Sequence, residues 1–180
     1  MTSPTMPVDA GELAALVAGG LDAMAHGARA DIERFVAPHA VNREAVAEPL
    51  DCRAPGPSGF FATAQWLRRA YSDLSFEVHE IVAAGDLVAV HCTMRGRHTG
   101  PFVTYRSDGS VTDAFPPTGR TFAVTHTHWL RFDRGLIVEH WANRDDIGQA
   151  VQLGWVPPTP MYLVRMALAK RRARRSSRQS

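Results

Sequence analysis

RTFAVTHTHWLRFDRGLIVEHWANRDDIG, Arg120 to Gly148, decides the fold. Its first half alternates. Thr121, Ala123, Thr125, Thr127 and Arg131 take one face of a strand, and Phe122, Val124, His126, His128, Leu130 and Phe132 the other, because successive strand side chains point to opposite sides. Asp133-Arg134-Gly135 is turn chemistry, so a strand Arg120 to Asp133 folds back as a hairpin onto a last strand, Leu136 to Asn143. A helical period then takes over through Ile147, Val151 and Leu153, closed by Gly154 and Pro157-Pro158.

Upstream the period of two continues. Leu74, Phe76 and Val78 alternate with polar residues, Gly85-Asp86 turns the chain, and Leu87 to Arg97 puts Val88, Val90, Cys92 and Met94 on one face. Before Leu74 the chain reads as helix. Leu13, Leu16, Val17, Leu21 and Met24 form one stripe within Ala10 to His26. Asp31 caps a short second helix through Ile32, Phe35 and Val36 that Pro38 stops, and Ser58 caps a third, Gly59 to Tyr71. Helices followed by antiparallel strands predict an α+β domain whose helices cover one face of a curved sheet and leave a cavity. Thr99 to Gly119 is too long for an ordinary link and is read as a functional or disordered loop, with a small hairpin at Asp108-Gly109.

A length of 180 residues with 45% apolar content suits one cored domain, expected over residues 9–156 between a disordered N-terminus, 1–8, and a basic tail, 157–180. The net charge of +2 hides that tail: Arg165, Lys170, Arg171, Arg172, Arg174, Arg175 and Arg178 are followed or preceded by no acid after Asp146. Without those seven, thirteen basic residues face eighteen acidic ones, so the body is at −5 and no specific nucleic-acid binder is expected. The tail reads as a short amphipathic helix, suited to a peripheral membrane or acidic-partner contact, or else as a solvated terminus. Two cysteines give no disulfide framework, and MTSPTMPVDAGEL lacks the build of a signal peptide, so the cytoplasm is the expected compartment.

On the last strand Ile137, Glu139, Trp141, Asn143 and Asp145 share a parity; if Ile137 is in the core, Trp141 and Asp145 line its wider end, with Asn143 on the same face as a substrate-binding candidate. A carboxylate beside Trp in a dry pocket becomes a usable acid or base near neutral pH. Asp145 or Asp146 would serve equally well as cap of the helix at Ile147. His126 and His128, with His98 on the neighbouring strand, could orient a carbonyl or pack as core histidines, and Trp66 and Phe60 could cover the mouth. A metal on the His-x-His pair lacks an acidic ligand at supporting spacing. Trp129 on the Thr-rich face suggests a dimer seam.

GDLVAVHCTMRGRHTG, FPPTGR, HTHWLRFDRGLIVEHWANRDDIG and QLG together resemble the SnoaL-like polyketide cyclases, or ester cyclases, of the nuclear transport factor 2-like superfamily, over roughly His26 to Gly154. The resemblance implies a cone-shaped barrel with one buried pocket for a hydrophobic small molecule, a homodimer formed through the sheet, and aldol ring closure without metal or organic cofactor. It also implies an acid/base aspartate near the end of the last strand, with Asp145 at the matching position and Asp146 as the rival. His128, helped by His126 or His98, would polarise the carbonyl. Val41-Asn42-Arg43-Glu44 departs from the family's Val-Asn-His-Glu, so the Arg43 guanidinium would replace a pocket imidazole.

Overall fold

The computed structural model describes residues 10–176. The expectation for residues 1–8 lies outside them. The chain runs α1 (Ala10–His26), α2 (Arg29–Ile32), β1 (Val36–Asn42), a 3-10 turn (Leu50–Arg53), α3 (Pro57–Ala70), β2 (Tyr71–Ala84) and β3 (Leu87–His98). A hairpin of β4 (Phe102–Tyr105) and β5 (Val111–Phe115) follows, then β6 (Thr121–Asp133), β7 (Leu136–Arg144), α4 (Asp146–Gln152) and α5 (Pro160–Ser176).

The main sheet has the order β1-β7-β6-β3-β2, with β4-β5 apart as a second, two-stranded sheet. It is the α+β arrangement expected, a curved sheet around the N-terminal helices. Val88, Val90 and Cys92 of β3 pack with Leu13 and Val17 of α1, and Phe60 and Ala64 of α3 pack with Ala23, Ile32 and Val36. A third cluster joins Tyr71, Met94, Phe122, Leu153 and Trp155.

β1 is a correction. The segment expected to end the second helix is a strand parallel to β7, with the Ile137 N–H donating to the Phe35 carbonyl at 2.8 Å and that of Arg43 to the His140 carbonyl at 2.9 Å. Pro38 supplies no ladder N–H, and the β1–β7 register shifts between Val36 and Val41, which an edge strand tolerates. The α3 cap is Gly56 rather than Ser58. Its φ of +73° and the nearness of the Pro38 carbonyl leave no room for a β-carbon.

β7 carries a second departure. Arg131 pairs with Glu139, but the next residue, Phe132, pairs with Ile137, so Val138 has no partner of its own. This bulge reverses the facing of everything after it. Ile137 is in the core as expected, but His140, Ala142 and Arg144 then face inward in place of Trp141 and Asn143.

Candidate functional site

A cavity of about 400 Å³, mostly apolar, lies between the helices and the sheet. Phe60 and Trp66 of α3, Phe76 of β2, and Phe102 and Phe115 of the β4–β5 hairpin form much of its wall. The Trp66 indole donates to the Val103 carbonyl at 2.8 Å, tying α3 to that hairpin. The loop expected between β3 and β6 is therefore part of the wall.

Among the polar lining residues are His126 and His128 of β6, His140 and Arg144 of β7, Asn42 at the end of β1, and Glu48. Arg53 organises the segment that carries Glu48. Its guanidinium donates to the carbonyls of Ala45, Val46 and Glu48 and to those of Arg106 and Ser107 in the hairpin turn.

Asn42, His140 and His128, with Thr63 and Glu48, form one hydrogen-bonded chain, and its protons can be assigned from one end. The Glu44 backbone N–H can only donate, and it points to Asn42 Oδ1 at 3.1 Å. That oxygen therefore accepts from His140 Nδ1 as well, at 2.9 Å. A neutral His140 protonated at Nδ1 must accept at Nε2, where His128 Nδ1 lies 2.9 Å away and donates. His128 Nε2 is left with an unshared lone pair, and it is a buried atom with no partner among the described residues. In the other direction Asn42 Nδ2 donates to Thr63 Oγ1 at 3.5 Å, and the Thr63 hydroxyl donates to Glu48 Oε2 at 2.5 Å.

Electrostatics favours the neutral forms this assignment needs. Burial, then the charge of Arg144 and the His126 imidazole, holds His140 down to about 4, and burial first with the other two histidines next holds His128 well below the ordinary range. His126 is pushed down to about 4 by burial and Arg144, against an opposing pull from Asp145. Burial raises the Glu48 carboxyl despite the Thr63 hydrogen bond, and it raises the Tyr71 phenol, which stays protonated. Tyr71 and Trp155 also line the cavity, and the Trp155 indole N–H is buried without an acceptor among the described residues. The site thus offers the lone pair of His128 Nε2, a second on the His126 imidazole, which has no partner among the described residues, and neutral donors in an apolar space. At its edge Arg144 stands between Glu44 and Asp146, each 3.5 Å away.

Of the expected residues, His126, His128, Phe60 and Trp66 border the cavity, and five do not. Asp145 is the N-cap of α4, its carboxylate accepting from the Gly148 N–H at 2.7 Å, while Asp146, its rival as acid/base, is the one of the two that borders the cavity. Trp141 stacks on Trp129 across the outer face of the sheet at an interplanar angle of 4°, and Asn143 accepts there from the Trp129 indole. Arg43 also lies outside, paired with Glu139 and over the Trp141 ring. His98 is packed behind the lining between Tyr71 and Trp155, where the Thr118 N–H donates to its Nδ1. The Val138 bulge displaces Trp141, Asn143 and Asp145. It also hid His140, although the Glu-His-Trp run contained it. Among the described residues, no group of three His, Cys, Asp or Glu side chains is placed to hold a metal ion.

Residues 15–153 match the family model of the SnoaL-like polyketide cyclases. No curated protein matches the chain. Among solved structures it is similar to IdmH of Streptomyces antibioticus, a candidate polyketide cyclase, with 30% identity, 78% of this chain and 97% of that one covered, and a TM-score of 0.58. AclR of Streptomyces galilaeus, a candidate hydroxylase, is 24% identical over 94% of this chain and 97% of its own, TM-score 0.59. A protein of Catenulispora acidiphila with a ketosteroid isomerase-like fold shares 15% identity over 77% and 92%, TM-score 0.54; these last two speak to the fold alone.

Proposed function

The chain belongs to the SnoaL-like polyketide cyclase family, and from that premise we propose that it is an acid/base enzyme of the aldol-cyclisation kind. It would act on a hydrophobic, carbonyl-rich small molecule using protein side chains alone. The observation that carries this reading is the unshared lone pair of His128 Nε2, held on an apolar cavity by the chain from Glu44 N–H through Asn42 and His140. A neutral imidazole with that tautomer is a base toward an acidic C–H or an enol O–H, and cannot donate from Nε2 to a carbonyl. His128 would therefore take the proton next to the carbonyl, rather than polarise the carbonyl. The Tyr71 hydroxyl and Trp155 N–H supply donors for the enolate oxygen, which in a dry cavity count for more than in water. Ring closure follows when that enolate carbon attacks a second carbonyl of the same molecule, and the proton held by His128 is returned to the new alkoxide.

Native mass spectrometry of protein drawn from its own organism, with mass analysis of the released molecule, would supply the substrate for the test. With that molecule His128→Asn is expected to lose turnover by about a hundredfold or more, the usual size of a general-base contribution. Asp145→Asn is expected to retain it, because Asn caps a helix as well as Asp does. The opposite pattern would return the chemistry to Asp145. A ligand carried unchanged by the wild-type protein and both variants would make this a binding protein.

A further inference from the structure

We propose that the outer face of α5 is a docking surface for an anionic lipid bilayer. The helix orientation is fixed by its inner side: Tyr162 is buried, with its hydroxyl donating to the Pro116 carbonyl, Met166 packs on the cluster around Trp155, and Lys170 pairs with Asp113 at 3.2 Å. At about 100° per residue, Met161, Val164, Leu168, Arg171 and Arg175 then fall on the opposite side within a stripe about 80° wide. All five are exposed, Met161 to 71% and Val164 to 57%. The stripe is apolar over the first two turns and cationic over the last two.

Charge complementarity names the partner. α5 carries no acidic residue, whereas the body of the chain is net negative, so an anionic surface attracts this helix and repels the rest, which fixes the orientation of approach. The apolar half separates a bilayer from other polyanions. Met161, Val164 and Leu168 would leave water among acyl chains, while guanidinium groups further along the same stripe reach the phosphates. A nucleic-acid backbone offers nothing to the first half of the stripe. No described helix is long and apolar enough to cross a membrane, so the contact is a surface one.

The test is flotation of the full chain with vesicles of phosphatidylcholine alone or mixed equally with phosphatidylglycerol. Binding is expected only with the mixed vesicles, falling about tenfold or more when salt is raised beyond physiological strength. M161Q/V164Q/L168Q and R171Q/R175Q should each weaken it by about tenfold or more. These exposed changes leave the packed side of α5 intact, and an unchanged thermal midpoint checks this. No binding to the mixed vesicles at low salt would overturn the proposal. So would full binding by the triple glutamine variant, which would mark a pure polyanion site. Equally tight binding to soluble polyglutamate would also overturn it, in favour of an acidic protein partner.

Discussion

A single backbone N–H, that of Glu44, decides which nitrogen of His128 holds a proton, because each link from Asn42 to His140 to His128 has only one consistent donor. Asn42→Asp keeps the geometry but sets a carboxylate against His140 Nδ1, which favours a cationic imidazole pair. Nitrogen-15 NMR of the histidines should then show the pair titrating at a clearly higher pH than in the wild-type protein; an unchanged titration would break the assigned chain. His126 has neither nitrogen hydrogen-bonded among the described residues, and its pKa is about 4 in the fold against an ordinary 6.5. Above pH 6.5 it is neutral folded or unfolded and contributes nothing to the pH dependence. Between 6.5 and about 4 the unfolded chain takes up a proton that the fold refuses, so stability falls as pH is lowered, levelling off below about 4. His126→Leu removes that proton and two unpartnered polar atoms. It is expected to stabilise the protein by about 1 kcal/mol at neutral pH and to flatten the acid decline in urea titrations.

At the scale of the element, one extra residue in β7 separates what could be read from the sequence from what could not. The alternation of β3 and β6 is strict, so their core faces, including His126 and His128, were legible. Val138 looks like any other strand residue, and nothing local announces that it bulges; Leu136 and Val138 pack on the cluster around Ile32 while Ile137 packs on the one around Val90. Neighbouring side chains of a regular strand divide between two sides in the same way, so the departure shows only from Glu139 onward. β1 was illegible for a related reason, since Val36 to Asn42 contains Pro38 and gains its strand character only from β7, far along the chain. Inserting one alanine between Glu139 and His140 would shift the parity of every later residue of the strand and turn Trp141 inward, into the space of Ala142. The expected loss is at least about 4 kcal/mol, seen as a lost cooperative transition in near-ultraviolet circular dichroism. An insertion variant that melts like the wild type would show that strand parity does not set the facing of the site.

Across the whole molecule, the cavity depends on the C-terminal helix without being touched by it. The hairpin side chains Phe102 and Phe115 wall the cavity and pack with Trp155, and α5 lies against the hairpin from the other side. Tyr162 to the Pro116 carbonyl, Arg165 to the Pro117 carbonyl and Lys170 to Asp113 fasten the two together. The sequence displayed the helix and its charge, but its docking partners lie 46 to 57 residues upstream and leave no local pattern. Truncation after Thr159 removes the buried Tyr162 and all three ties, while β6 and β7 keep every strand partner. Losing one large buried aromatic costs about 3 kcal/mol, which for a domain of this size lowers the thermal midpoint by about 6–12 °C. Hydrogen exchange should locate the damage. Amides of residues 102–115 are expected to exchange much faster in the truncated chain, and those of β6 and β7 at nearly the wild-type rate, because opening is local to the wall that lost its support. Uniform acceleration would mean that α5 stabilises the domain as a whole, and no acceleration that the hairpin holds the cavity closed by itself.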